Sequence, residues 1–101
     1  MHSAPHIPVP REPLATLCRR HHIRKLSLFG SVLRDDFGPD SDIDLLIEFD
    51  AAYAVGFRIF DVEQELSQLL GGRRIDIHNP KYLNRHLRDR VLADAVVQYS
   101  T

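Results

Sequence analysis

Cysteine occurs once in this chain of 101 residues, at Cys18. No internal disulfide is therefore available, and a reducing cytoplasm is the expected setting. No apolar run approaches the roughly 20 residues that span a bilayer, and the N-terminal residues lack the apolar core of a secretion signal. A membrane is accordingly not an expected partner. Charge of one sign is also missing: the formal net charge is -1, which argues against direct nucleic-acid binding, since that needs a basic surplus or a dense basic stripe. Internal repeats and low-complexity segments are absent. What is present, 44% hydrophobic and 27% charged residues, is the balance of an ordinary globular domain. The length allows one small domain with a limited core.

The stretch KLSLFGSVLRDDFGPDSDIDLLIEF, Lys25 to Phe49, carries two chemical devices. Gly30 and Ser31 follow a short alternating apolar run, where the chain has to turn sharply. Such a turn can offer backbone N–H groups and a hydroxyl to a phosphate. Ser41-Asp42-Ile43-Asp44 then opens a second apolar run. Its alternation sends Ile43, Leu45, Ile47 and Phe49 one way and Asp42, Asp44, Leu46 and Glu48 the other. Two carboxylates on one face of one strand repel each other and call for a cation. Mg²⁺ suits them, because it takes one or two carboxylates and completes its octahedron with phosphate oxygens and water. An isolated Asp-x-Asp would read as a solvated strand face; the preceding Gly-Ser turn makes a Mg²⁺-nucleotide site the better reading.

Along the rest of the chain, Pro5, Pro8, Pro10 and Pro13 break up residues 1–13, which read as an extended arm with His2 and His6 solvated on it. Leu14, Leu17, Cys18 and His21 form one side of a short helix with Pro13 in its first turn, Cys18 as a packed thiol and the polar run 19–22 at its end. Residues 23–29 supply the first strand, and residues 32–37 a helical turn or two whose dipole would add to phosphate attraction. Arg34 reads equally as a phosphate contact or as the ion-pair partner of Asp36 or Asp40. Residues 57–70 repeat their apolar positions at helical spacing, with Gly71-Gly72 as the stop. In residues 73–78, Ile75 and Ile77 alternate with Arg74, Asp76 and His78, a third strand. Residues 80–99 read as a last helix, with Leu83, Leu87, Val91, Leu92, Ala95 and Val96 on its apolar side and Lys81, Arg85 and Arg88 on another. The expected architecture is α/β: a small mixed sheet of about three strands, helices on its apolar face and carboxylates on the other.

Gly30-Ser31 followed by Ser41-Asp42-Ile43-Asp44 at the head of an apolar strand resembles the motif of the DNA polymerase β-like nucleotidyltransferase superfamily, in particular its small stand-alone branch, the minimal nucleotidyltransferases. The resemblance covers the chain from about Leu14 onward, a nucleotidyltransferase domain over 14–101. It implies that Asp76 is a third carboxylate beside Asp42 and Asp44, that one or two Mg²⁺ ions and ATP bind there, and that Gly30, Ser31, Arg34 and Ser41 contact the nucleotide. Asp42 and Asp44 would hold the metal of the triphosphate, and Asp76 a second metal or the proton of the incoming hydroxyl. Leu33 and Asp35 depart from the small residue and Gly that flank the Arg in relatives. The resemblance further implies an antitoxin that transfers AMP to a hydroxyl, a tyrosine's, on a HEPN-family ribonuclease toxin. A module that keeps the carboxylates and silences its partner by contact is the alternative. A small-molecule transferase fits less well, because such enzymes carry an added substrate-holding domain.

Overall fold

Ile43, Leu45 and Ile47 have no exposed surface, and the alternation that places them together also builds the sheet around them. The computed structural model describes residues 7–35 and 37–101. His2, His6 and Asp36 lie outside the described residues. Four strands, β1 (Ile23–Phe29), β2 (Ile43–Phe49), β3 (Ile75–His78) and β4 (Val96–Ser100), form one sheet in the order β3-β2-β1-β4. β2 runs parallel to β3, while β1 is antiparallel to both β2 and β4. The first strand spans the residues expected of it.

Helices α1 (Arg11–Arg20) and α2 (Arg58–Leu69) cover one face of this sheet. Leu14, Leu17 and Cys18 of α1 and Val62 and Leu66 of α2 join the strand residues in a single core. Pro13 stands in the first turn of α1, where its missing N–H costs no hydrogen bond. Burial pushes the Cys18 thiol up to about 12, which makes it a packed hydrophobe rather than a nucleophile. Arg20 and His21, at the end of α1, both reach Glu65 of α2 and tie the two helices together. α2 stops where Gly71 and Gly72 take positive φ angles of 90° and 79°, and the Gly72 N–H donates to the Ser67 carbonyl at 2.7 Å. That reversal feeds the chain directly into β3. Ile7 and Val9, from the Pro-rich N-terminal segment, pack against the core.

Two expected elements take a different form. Among the described residues the helix expected over 32–37 does not form: Gly30–Leu33 is a single 3-10 turn, and Arg34 leaves it extended at φ -110° and ψ 157°. One turn aligns too few peptides to form a macrodipole of consequence. The expected helix over 80–99 is three elements: a 3-10 turn at Pro80–Tyr82, helix α3 (Arg85–Asp94) and strand β4. Asn84 caps α3 by accepting the His86 N–H at 2.9 Å. Ala95 then turns extended, and Val96-Val97-Gln98-Tyr99 pairs with β1. β-branched and aromatic residues suit a pleated ladder, and the open edge of β1 supplies the partner that decides against the helix. The sheet therefore has four strands, and Lys81 does not share a helix with Arg85 and Arg88. α3 buries none of its side chains, leaving Leu87 and Leu92 50% and 43% exposed. Among the described residues no helix is long and apolar enough to cross a membrane.

Candidate active site

The cross-strand register brings the carboxylates together. Asp44 of β2 stands directly opposite Asp76 of β3 and, on its other side, opposite Phe29 of β1. Side chains at paired positions of neighbouring strands share a face, so Asp44 and Asp76 meet on the face that α1 and α2 leave uncovered. His78, two residues beyond Asp76, points the same way: its Nε2 lies 3.2 Å from Asp76 Oδ2 and 3.7 Å from Asp44 Oδ1. The Phe29 ring meets the imidazole edge-on at 5.2 Å. Asp42, just before β2, lies 3.9 Å from Arg74. It stands beside the Asp44-Asp76-His78 cluster rather than within it.

Burial raises the Asp44 carboxyl above its ordinary value; His78 opposes the rise, and Asp76 and Asp42 add to it. A carboxylate held this way is stabilised by any cation that reaches it. The Gly30 turn closes over the same group. Gly30 has φ +76°, and a Cβ built on it would fall 2.6 Å from Asp44 Oδ2. Glycine is required here twice over, for the left-handed backbone and for the space the carboxylate occupies. Ser31 Oγ donates to the Asp42 carbonyl at 3.3 Å, a bond that uses its proton and not its lone pairs. Ser41 Oγ accepts the Gly38 N–H at 3.0 Å, so this side chain also shapes the loop it belongs to. Arg34 closes the 3-10 turn through its N–H to the Ser31 carbonyl at 2.9 Å.

Sequence reasoning missed Arg73. Its Nη1 donates to the carbonyls of Gly38 at 2.8 Å and Ser41 at 3.3 Å, and its guanidinium lies 4.3 Å over the Phe37 ring. The side chain thus fastens the loop that delivers Asp42, and beside it a cavity of about 510 Å³ opens between residues 39–42 and 71–74. No local pattern marks this role, because the acceptors are main-chain oxygens more than thirty residues away. Arg73→Ala is expected to raise amide exchange at Ser41, whose N–H bonds the Gly38 carbonyl, by about tenfold or more. Hydrogen bonds from a charged group contribute roughly 1.5–3 kcal/mol each. Hydrogen-exchange mass spectrometry checks it, and unchanged exchange over residues 38–42 would count against the clamp.

The donor set fits a divalent cation. One ligand atom each from Asp44, Asp76 and His78 lie within 4.8 Å of one another, and octahedral ligands at about 2.0–2.1 Å from an ion sit roughly 3–4 Å apart. Small rotations of these half-exposed side chains close the difference.

Comparison with known proteins agrees with this geometry: the model of the nucleotidyltransferase domain matches residues 11–98. The chain belongs to the nucleotidyltransferase domain family. Protein adenylyltransferase MntA of Thermococcus cleftensis is 30% identical over 80 residues, covering 79% of this nucleotidyltransferase and 79% of MntA. A solved minimal nucleotidyltransferase is 36% identical with a TM-score of 0.71, over 85% of this chain and 86% of that one. The crystal structure of a toxin-antitoxin with AMP-PNP has a TM-score of 0.69 at 18% identity, over 90% of this chain and 73% of that one. At that identity the likeness speaks for the fold alone.

Proposed function

We propose that this nucleotidyltransferase is a protein adenylyltransferase and the antitoxin of a two-gene module, transferring AMP from ATP to a tyrosine hydroxyl of a HEPN-type ribonuclease toxin in the cytoplasm. The observation that carries the reading is Asp44 in register with Asp76 beneath the Gly30 turn. The relative that is a protein adenylyltransferase supports a protein as the acceptor; the toxin and its tyrosine belong to the proposal. The catalytic unit is expected over residues 14–101 behind an extended arm, but its first helix begins at Arg11, and Ile7 and Val9 of the expected arm pack against the core.

In this reading the acceptor oxygen bonds to the α-phosphorus of ATP, the bond from that phosphorus to the bridging oxygen breaks, and pyrophosphate leaves with the electron pair. Asp76, 56% exposed, would take the proton of the incoming hydroxyl or hold a second ion; Asp42 and Asp44 would hold the ion that accompanies the triphosphate. Bound Mg²⁺ would neutralise charge on the attacking and leaving oxygens. The Gly30 turn, Ser31, Arg34 and Ser41 orient the phosphates, and the neighbouring cavity lies beside Asp42.

In this reading the docked partner presents the hydroxyl to the open carboxylate face. An adenylate near a ribonuclease site adds bulk and negative charge, which repels RNA. The exposed Leu87 and Leu92 of α3 favour a second reading, in which contact alone silences the toxin without a direct nucleic-acid contact by this chain. Intact-protein mass spectrometry of the toxin after incubation with ATP and Mg²⁺ separates the two. AMP additions are expected with the native chain and should vanish with Asp42→Asn or Asp76→Asn; an unmodified but inhibited toxin would refute catalysis.

A further inference from the structure

The family pattern describes an all-carboxylate site, yet here an imidazole nitrogen lies 3.2 Å from Asp76 Oδ2. His78 lies on the same face as Asp76 because both belong to β3 with one residue between them, and the parallel register puts Asp76 beside Asp44. The imidazole is 30% exposed, and the Phe29 ring meets it edge-on at 5.2 Å. Nε2 is the nitrogen turned toward both carboxylates, at 3.2 and 3.7 Å.

From this arrangement we infer that His78 Nε2 is a metal ligand, so that the ion between Asp44 and Asp76 sits in a mixed oxygen-nitrogen donor set and is a first-row transition cation of the Mn²⁺ or Co²⁺ class in preference to Mg²⁺. The inference rests on the proposed metal-binding role of Asp44 and Asp76. Three donor atoms from three side chains lie within 4.8 Å of one another, and one of the three is His78. Mg²⁺ is a hard ion that selects oxygen and dehydrates reluctantly. Neutral imidazole is a softer donor, and affinity for it rises along the series from Mn²⁺ towards Co²⁺ and Ni²⁺. Asp42, 3.9 Å from Arg74 and outside the cluster, shares with Asp44 the ion that accompanies the triphosphate, and Asp44 serves both ions. The two ions then differ in chemistry: one all-oxygen and exchangeable with the nucleotide, the other anchored by a nitrogen on β3.

The test is pulsed electron paramagnetic resonance of Mn²⁺ bound to the full chain without nucleotide, alongside calorimetric titration with Co²⁺ and with Mg²⁺. The native chain should show nitrogen modulation on bound Mn²⁺, and the pattern should change from ¹⁴N to ¹⁵N when the protein is made with ¹⁵N-histidine. His78→Gln should abolish the modulation and weaken Co²⁺ by about tenfold or more, the scale on which ligand-shell changes act, with Mg²⁺ much less affected. The isotope exchange needs no substitution, so a folding defect in the variant leaves the native-chain result standing. Mn²⁺ bound without nitrogen modulation, or modulation that survives in folded His78→Gln, would overturn the assignment of His78 and leave the carboxylate site intact. Failure of Mn²⁺ and Co²⁺ to bind at all would overturn both the assignment and the metal-binding role beneath it.

Discussion

A Gly30→Ala chain is expected to fold, with stability lowered by about 1–2 kcal/mol for forcing a left-handed conformation on an L-residue, and to transfer AMP about 10²-fold more slowly. The two effects separate because of what the new methyl would meet. It would fall 2.6 Å from Asp44 Oδ2, the far end of a side chain that can rotate away, so the backbone need not rebuild. What moves is the carboxylate, and displacement of a reacting group by about 1 Å can cost about 10²-fold in rate. Chemical denaturation gives the first quantity and single-turnover transfer from ATP gives the second. Equal losses of folding and transfer, or transfer left intact, would show that Asp44 does not depend on this turn for its position.

Asp44→Asn is expected to reduce transfer by about 10²–10³-fold, the range found when one preorganised electrostatic group is removed, while raising the melting temperature of the metal-free protein. Burial raises the Asp44 carboxyl, with Asp76 and Asp42 contributing and His78 opposing. A carboxyl whose folded-state value lies above its unfolded value contributes stability that is present below the unfolded value and lost as pH rises through the folded one. At neutral pH the ionised Asp44 is therefore a burden on the apo fold, and the neutral amide removes it. Thermal melts from acidic to neutral pH should show a decline in the native chain that is smaller in Asp44→Asn, and added divalent cation should raise the native melting temperature more than that of the variant. A variant that melts lower than the native chain at neutral pH would contradict this account. Function here works against stability at one residue, as expected where like charges are held together to receive a cation.

The features that sequence reveals best are those set by local period. Strict alternation through Ile43, Leu45 and Ile47 identifies the buried face of β2 and so the face that carries Asp44; Gly71-Gly72 ends α2 through its own backbone preference. The fourth strand was hidden because Val91, Leu92, Ala95 and Val96 fit a helical period as well as Val96 to Ser100 fit a strand. Only the unsatisfied edge of β1, about seventy residues earlier, decides between them. The carboxylate face is also less open than alternation alone suggests: Leu46 and Ser27 are buried on it, and the 3-10 turn at Pro80–Tyr82 packs against β2. His78 was visible as a residue on the polar side of β3, but its approach to two carboxylates depends on the parallel register with β2. Arg73 left no signal at all, since carbonyl acceptors have no sequence signature.

β4 also matters for when the site is built. β1, which leads straight into Gly30, takes β2 on one side and β4 on the other. Of these neighbours, β4 comes from residues 96–100 and leaves the ribosome last. Until it docks, β1 presents a free row of N–H and C=O groups, the kind of edge that recruits other chains or holds a nascent protein in a partly folded state. A chain halted before Val96 would contain Gly30, Asp42, Asp44, Asp76 and His78, and would still carry them on a sheet with one side open.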